Sequence, residues 1–262
     1  MLARTIMLSM SSLRSKTRSP ECPADYGLPQ GERNSFIALD LETANSNISS
    51  ICQIALVWFV VGEPVNVWHS LVNPGEPFAA LNVSLHGIDA TAVQDAPSFK
   101  DIMRTVAALL EGRVVASHMP FDRIAIERAC SQHCIPPLTC LWIDTARVAR
   151  RAWPRFSKRG YGLRSLASWH GIDFRHHDAV EDATTAGRIL AHAVAESGIS
   201  LEGWLSYSTT STSNSQKIVD NDRTRRTRYR GLSSRYAAAA AGRSSQLRRA
   251  VGSEVRPCEA KS

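Results

Sequence analysis

Asp40 and Glu42 interrupt an otherwise apolar run, Phe36-Ile37-Ala38-Leu39-Asp40-Leu41-Glu42, and this placement constrains the fold more than any other feature of the 262-residue chain. The run reads as a buried strand. Side chains two apart on a strand share a face, so both carboxylates point the same way. Two like charges on one face are unfavourable unless a cation sits between them, and oxygen donors of this kind suit magnesium or manganese.

The apolar pattern continues in two further β-branched stretches, Ile51 to Val61 and Val65 to Val72, whose short connections predict an antiparallel meander. The period then changes. Phe99, Ile102, Met103, Val106, Ala107 and Leu110 recur at helical spacing behind a cap at Ser98, and Gly112 stops that helix. A strand is expected at Arg113 to Ala116, a helix from Phe121 to Cys134 ended by Pro136-Pro137, and a short strand at Leu141 to Asp144 with helical segments after it. A meander followed by alternating strands and helices predicts an α/β fold, its mixed sheet antiparallel first and parallel later, flanked by helices.

The ends read differently from the middle. Residues 35–208 carry 17 acids against 14 Lys and Arg, so the formal net charge of +7 belongs to the termini. Residues 1–34 read as a disordered extension, 35–206 as the folded domain, and 207–262 as a disordered basic tail rich in Ser, Thr and Arg. The N-terminal composition is one that organelle transit peptides share, but it is read as an extension. The longest apolar run, Ile54 to Val61, is far shorter than the roughly 20 residues that span a bilayer, so no membrane partner is expected. Cys130 and Cys134 flank His133 without forming the paired spacings of a zinc site, and the six cysteines suggest no dense disulfide framework; a reducing cytoplasmic compartment is expected.

A third informative segment is His177-Asp178-Ala179-Val180-Glu181-Asp182. Asp178 and Glu181 have the spacing of a helix cap with its reciprocating acid, which leaves His177 on the preceding loop. Asp182 precedes Ala186, Ile189 and Ala193 by helical steps, placing its carboxylate at the margin of the buried stripe. Asp122 follows Phe121 where a strand gives way to a helix, and it should project from the first helical turn. His118, just before it, reads as a loop histidine with no assigned role.

In their order, Asp40-Leu41-Glu42, Phe121-Asp122 and His177 with Asp182 five positions on, these residues resemble the DEDDh 3′-to-5′ exonucleases, typified by the proofreading epsilon subunit of bacterial DNA polymerase III. The resemblance extends through Thr43-Ala44, Leu85-His86-Gly87-Ile88 and His176 to Ala183, over about residues 35 to 196. It implies a ribonuclease-H-like fold and hydrolysis with two divalent cations. Asp40, Glu42 and Asp182 would hold one ion, Asp40 would bridge to the second, Asp122 would support the second ion, and His177 would act as general base. By the same resemblance Thr43, His86 and Phe121 border the terminal nucleotide. The second motif departs from the family pattern, with Ser117-His118-Met119 where His-Asn-Ala is usual.

Arg147, Arg150, Arg151, Arg155, Lys158, Arg159 and Arg164 are interleaved with Trp153, Phe156 and Tyr161, a mixture that suits single-stranded nucleic acid. The expected partner is therefore nucleic acid with a free 3′ end, with a DNA polymerase or replication complex as a further candidate. Single-stranded or frayed DNA is the first substrate reading. An exoribonuclease acting on RNA 3′ ends and a catalytically weak polymerase accessory module are the alternatives.

Overall fold

A computed structural model of the chain describes residues 35–209. The extension expected at 1–34 and all but the start of the tail expected at 207–262 lie outside these residues. The chain divides after Leu201 into two compact units, and the first of them holds the sheet and the helices packed on it.

The sheet has five strands in the order β3-β2-β1-β4-β5. They are β1 (Ser35–Thr43), β2 (Ile51–Val60), β3 (Glu63–Leu71), β4 (Val114–Ser117) and β5 (Leu141–Asp144). The first three pair antiparallel, and β4 and β5 add on parallel to β1. This is the mixed sheet that the apolar pattern predicts. The helices are α1 (Ala80–His86), α2 (Phe99–Leu110), α3 (Phe121–Gln132), α4 (Thr145–Ala152), α5 (Leu163–His170) and α6 (Ala179–Ser197). A last helix, α7 (Leu201–Thr209), begins at the division between the units. It runs past the boundary expected at residue 206, so residues 207–209 are helical rather than part of a disordered tail.

Period-two geometry sorts β1 between two layers. Ile37, Leu39 and Leu41 enter a core with Ile102, Met103 and Val106 of α2 and Ala125 and Ile126 of α3. On the other face Phe36 stacks on Phe59 of β2, with ring centroids 4.9 Å apart. There α6 lies directly on the sheet, because Gly187 leaves room for the Phe59 ring: a Cβ at that position would fall 2.1 Å from it. The same face carries Asp40 and Glu42 toward the N-terminal end of α6. The sheet therefore has an apolar back and a front whose strand ends bear acids.

Capping follows the local sequence. Ser98 and Asp101 form a reciprocal capping box at the start of α2. Asp178 caps α6 by accepting the N–H groups of Val180 and Glu181. The reciprocal bond expected from Glu181 is not made among the described residues; Asp178 instead pairs with Arg175. Helix α3 stops at Gln132, two residues short of expectation, and Cys130 is buried in the core rather than presented to a metal. Among the described residues no helix is long and apolar enough to cross a membrane.

Candidate active site

Three segments converge where β1 ends. Asp40 and Glu42 come from β1, Asp182 from the first turn of α6, and Asp122 from the first turn of α3. Carboxylate oxygens of Asp40, Glu42 and Asp182 lie within 4.8 Å of one another. Asp122 stands outside that tight triad but acts on it, being the charge that most affects Asp40. Asp122 and Asp182 are buried, at 3% and 4% exposure. The margin position expected for Asp182 is thus an interior one, because the sheet covers the first turn of α6.

Burying like charges together raises their protonation range. Burial, then the charges of Asp122, Asp182, Glu42 and Asp178, holds the Asp40 carboxyl well above the usual carboxylate range. Burial and the charges of Asp182 and Asp178 push Glu42 up to about 8. Asp122 is also raised, chiefly by burial, although its own N–H and that of Leu41 hydrogen-bond to the carboxylate and oppose the rise. The site is short of positive charge. The triad Asp40, Glu42 and Asp182 offers only oxygen donors, which fits a hard divalent cation such as magnesium or manganese.

The loop before α6 places two imidazoles beside Asp182. His177 adopts a left-handed backbone, φ 69°, and its N–H donates to Asp182 Oδ2 at 3.0 Å. His176 Nδ1 contacts the same carboxylate at 3.0 Å, and the two rings stack with centroids 4.1 Å apart. The His177 side chain is thereby left without a bond to Asp182, and burial, followed by the neighbouring His176, lowers its pKa. The contact between His176 and Asp182 is not legible in the sequence, since nothing in the spacing distinguishes the two adjacent histidines until the left-handed turn at His177 is known.

Thr43 and His86 meet below this loop. A register shift between Glu42 and Thr43 frees the Thr43 carbonyl from the ladder. It accepts from Asn82 Nδ2 at 2.8 Å and from His86 Nε2 at 3.2 Å. The Ile88 N–H donates to His86 Nδ1 at 3.0 Å, which requires the neutral tautomer protonated at Nε2. Both His86 nitrogens are thus occupied, and burial lowers its pKa. Phe121, at the start of α3, is 41% exposed.

The departing motif has a structural role. His118 Nδ1 lies 2.8 Å from Thr145 Oγ1, and His118 Nε2 lies 3.0 Å from the Tyr161 carbonyl. Burial lowers its pKa to about 4, so the ring is neutral near pH 7. Asp144 completes the support: it caps α4 and accepts the Met119 N–H at 3.0 Å. His118 and Asp144 therefore fix the turn that presents Asp122, a role that nothing in the local sequence assigns to either.

The basic and aromatic segment is partly internal. Trp153 and Phe156 are buried, at 6% and 5% exposure, which corrects their expected role as stacking surfaces for bases. Arg150 lies over the Tyr161 ring at 4.8 Å and donates to the Ser157 carbonyl; Arg155 lies over Phe156 at 5.2 Å. These aromatic residues anchor arginines to the surface instead.

A ribonuclease-H-like mixed sheet with carboxylates gathered at the end of its first strand is an architecture that hydrolytic exonucleases share. Residues 37–190 match the family RNase_T, described as exonuclease, and the chain belongs to that family. DNA polymerase III PolC-type from Streptococcus pyogenes serotype M2 (strain MGAS10270) is 26% identical over 171 residues, covering 64% of this chain and 11% of the relative. The PolC-type polymerase of Lactococcus lactis subsp. lactis (strain IL1403) is 25% identical over 176 residues, covering 66% and 11%. The chain spans about a tenth of the length of the curated relatives it matches.

Among solved structures, Exonuclease X in complex with 5′ overhanging duplex DNA superposes with a TM-score of 0.52 at 22% identity, covering 65% of this chain and 98% of that one. The nuclease domain of 3′hExo, a DEDDh family member bound to rAMP, gives 0.53 at 18% identity, covering 65% and 96%. At these identities the likeness is one of fold.

Proposed function

We propose that the chain is a 3′-to-5′ exonuclease that requires two divalent cations, magnesium or manganese, and acts on single-stranded or frayed DNA ends. The observation that carries this reading is the close triad Asp40, Glu42 and Asp182, whose mutual repulsion bound cations would relieve near neutral pH. These three would hold one ion, and Asp40 together with Asp122 would hold a second. When bound, the ions supply stabilisation of the negative charge that develops on the phosphate and the leaving 3′-oxygen.

The remaining residues position and deprotonate. His177, neutral because its pKa is lowered, accepts the proton of the attacking water. Its backbone bond to Asp182 sets where the ring can reach, while His176 orients the Asp182 carboxylate. The bonds of Asn82 and His86 to Thr43 keep the end of β1 in place beside the terminal nucleotide. Exposed Phe121 offers a face to the terminal base.

DNA is favoured over RNA by the similarity to DNA polymerase III PolC-type chains, which also supports a proofreading or repair role beside a polymerase. The test is degradation of 5′-labelled single-stranded DNA, mismatched-end duplex DNA and RNA of equal length, with magnesium. A ladder of shortening products that retain the label, formed fastest on single-stranded or mismatched DNA, is expected. Immediate release of the labelled 5′ nucleotide would overturn the polarity, and faster cleavage of RNA would overturn the substrate.

A further inference from the structure

A second cluster of donors lies on the same long helix as Asp182, ten positions further on, which is about 15 Å along an α-helix. His192 and Glu196 are one helical turn apart on α6, and His170 is the last residue of α5. One donor atom from each of the three lies within 4.8 Å of the other two. The rings of His170 and His192 stack with centroids 4.5 Å apart, and His192 Nδ1 is 4.0 Å from Glu196 Oε1.

Two features of the surroundings are those of a built site. Trp153 Nε1 donates to Glu196 Oε2 at 2.6 Å, which holds one carboxylate oxygen and turns the other toward His192. His170 packs edge-on against Trp153 and Trp169, and its Nε2 is buried with no hydrogen-bond partner among the described residues. A buried polar atom without a partner is unfavourable, and a bound ligand would relieve it.

We propose that His170, His192 and Glu196 form a binding site for zinc or a similar borderline divalent metal, separate from the carboxylate centre and tying the end of α5 to α6. Two imidazoles and one carboxylate are a ligand set that zinc accepts, with a fourth position open to solvent, whereas magnesium prefers an all-oxygen site. Tetrahedral bonds of about 2 Å separate ligand atoms by about 3.3 Å. The His192 and Glu196 side chains are 44% and 48% exposed, which leaves room for them to rotate toward this spacing.

The test uses the full chain in excess magnesium, which occupies the oxygen site, and titrates zinc by calorimetry and cobalt by its visible absorption. One equivalent of zinc should bind and raise the melting temperature, and cobalt should give the intense absorption of a four-coordinate site. His192→Ala should weaken that equivalent at least about tenfold, on the scale of a disturbed metal shell. Glu196→Gln, which keeps an oxygen for Trp153, should weaken it similarly. His176→Ala, at the other histidine cluster, should leave it unchanged. Absence of zinc binding below millimolar concentration would overturn the proposal. So would an equivalent that survives both His192→Ala and Glu196→Gln, or one that disappears in His176→Ala. Magnesium-dependent nuclease activity in His192→Ala reports independently on the carboxylate centre.

Discussion

The backbone N–H of His177 donates to Asp182 Oδ2 at 3.0 Å, tying the loop before α6 to a carboxylate in that helix's own first turn. His176 bonds the same carboxylate through its ring. Two adjacent histidines therefore stand in different relations to one acid, and their variants should separate. His177→Ala should lower the maximal rate by about 10² to 10⁴ with little change in magnesium requirement. His176→Ala should chiefly raise the magnesium concentration needed, by about tenfold or more. Rates measured across a magnesium titration check both; equal effects on rate and requirement in the two variants would contradict the division.

His177 must be neutral to accept a proton, and its pKa is lowered by burial and by His176. The acid limb of the pH–rate profile should therefore fall below the ordinary histidine value of about 6.5, with activity lost as pH drops through it. That limb should vanish from the residual activity of His177→Ala. A limb unchanged in the variant assigns the titration to another group.

The raised carboxylates predict how the ions affect stability. A carboxyl whose folded pKa exceeds its unfolded value stabilises the fold below the unfolded pKa, and that contribution is lost as pH rises through the folded one. For Glu42 the window runs from its ordinary value of 4.5 to about 8. Melting temperature without divalent ions should fall across this window relative to Glu42→Gln. Magnesium should raise the melting temperature more at pH 8 than at pH 5, as thermal scans at both would show.

His118 has the opposite sign. Its folded pKa of about 4 lies below the ordinary 6.5, so its contribution is complete above pH 6.5 and is lost as pH falls toward 4. The difference in unfolding free energy between the protein and His118→Gln should shrink by up to roughly 3 kcal/mol over that interval. Denaturant titrations at pH 7 and pH 4.5 measure it; a constant difference would mean that His118 is not held neutral.

Much of this architecture is legible in the sequence because it rests on periodicity. Alternation in Phe36 to Glu42 places both acids on one face, and the Ser98 and Asp178 caps mark where α2 and α6 begin. What cannot be read depends on distant partners. Nothing local distinguishes the exposed Phe121 from the buried Phe156, or shows that His118 reaches Thr145 and the Tyr161 carbonyl. Helix α1 is also unheralded: it buries none of its residues and so carries no apolar stripe, and it is held through Asn82 and His86 instead. The close approach at Gly187 emerges only when Phe59 is placed opposite it.

Residues 35–209 should suffice for folding and cleavage, a boundary moved from 206 to include the end of α7. Removing the Arg-rich remainder should leave turnover on saturating short substrates roughly unchanged and weaken binding to long ones at low salt. Failure of the trimmed chain to melt cooperatively would place the boundary elsewhere.

The most direct test of two-cation hydrolysis at this site is cleavage of 5′-labelled single-stranded DNA after exhaustive chelation, with magnesium or manganese then restored, alongside Asp40→Ala and Asp182→Ala. The expected result is no hydrolysis without the ions, full recovery with them, and a loss of at least about a hundredfold in each folded variant. Undiminished hydrolysis in the metal-free protein, or near-normal turnover in folded Asp182→Ala, would contradict it.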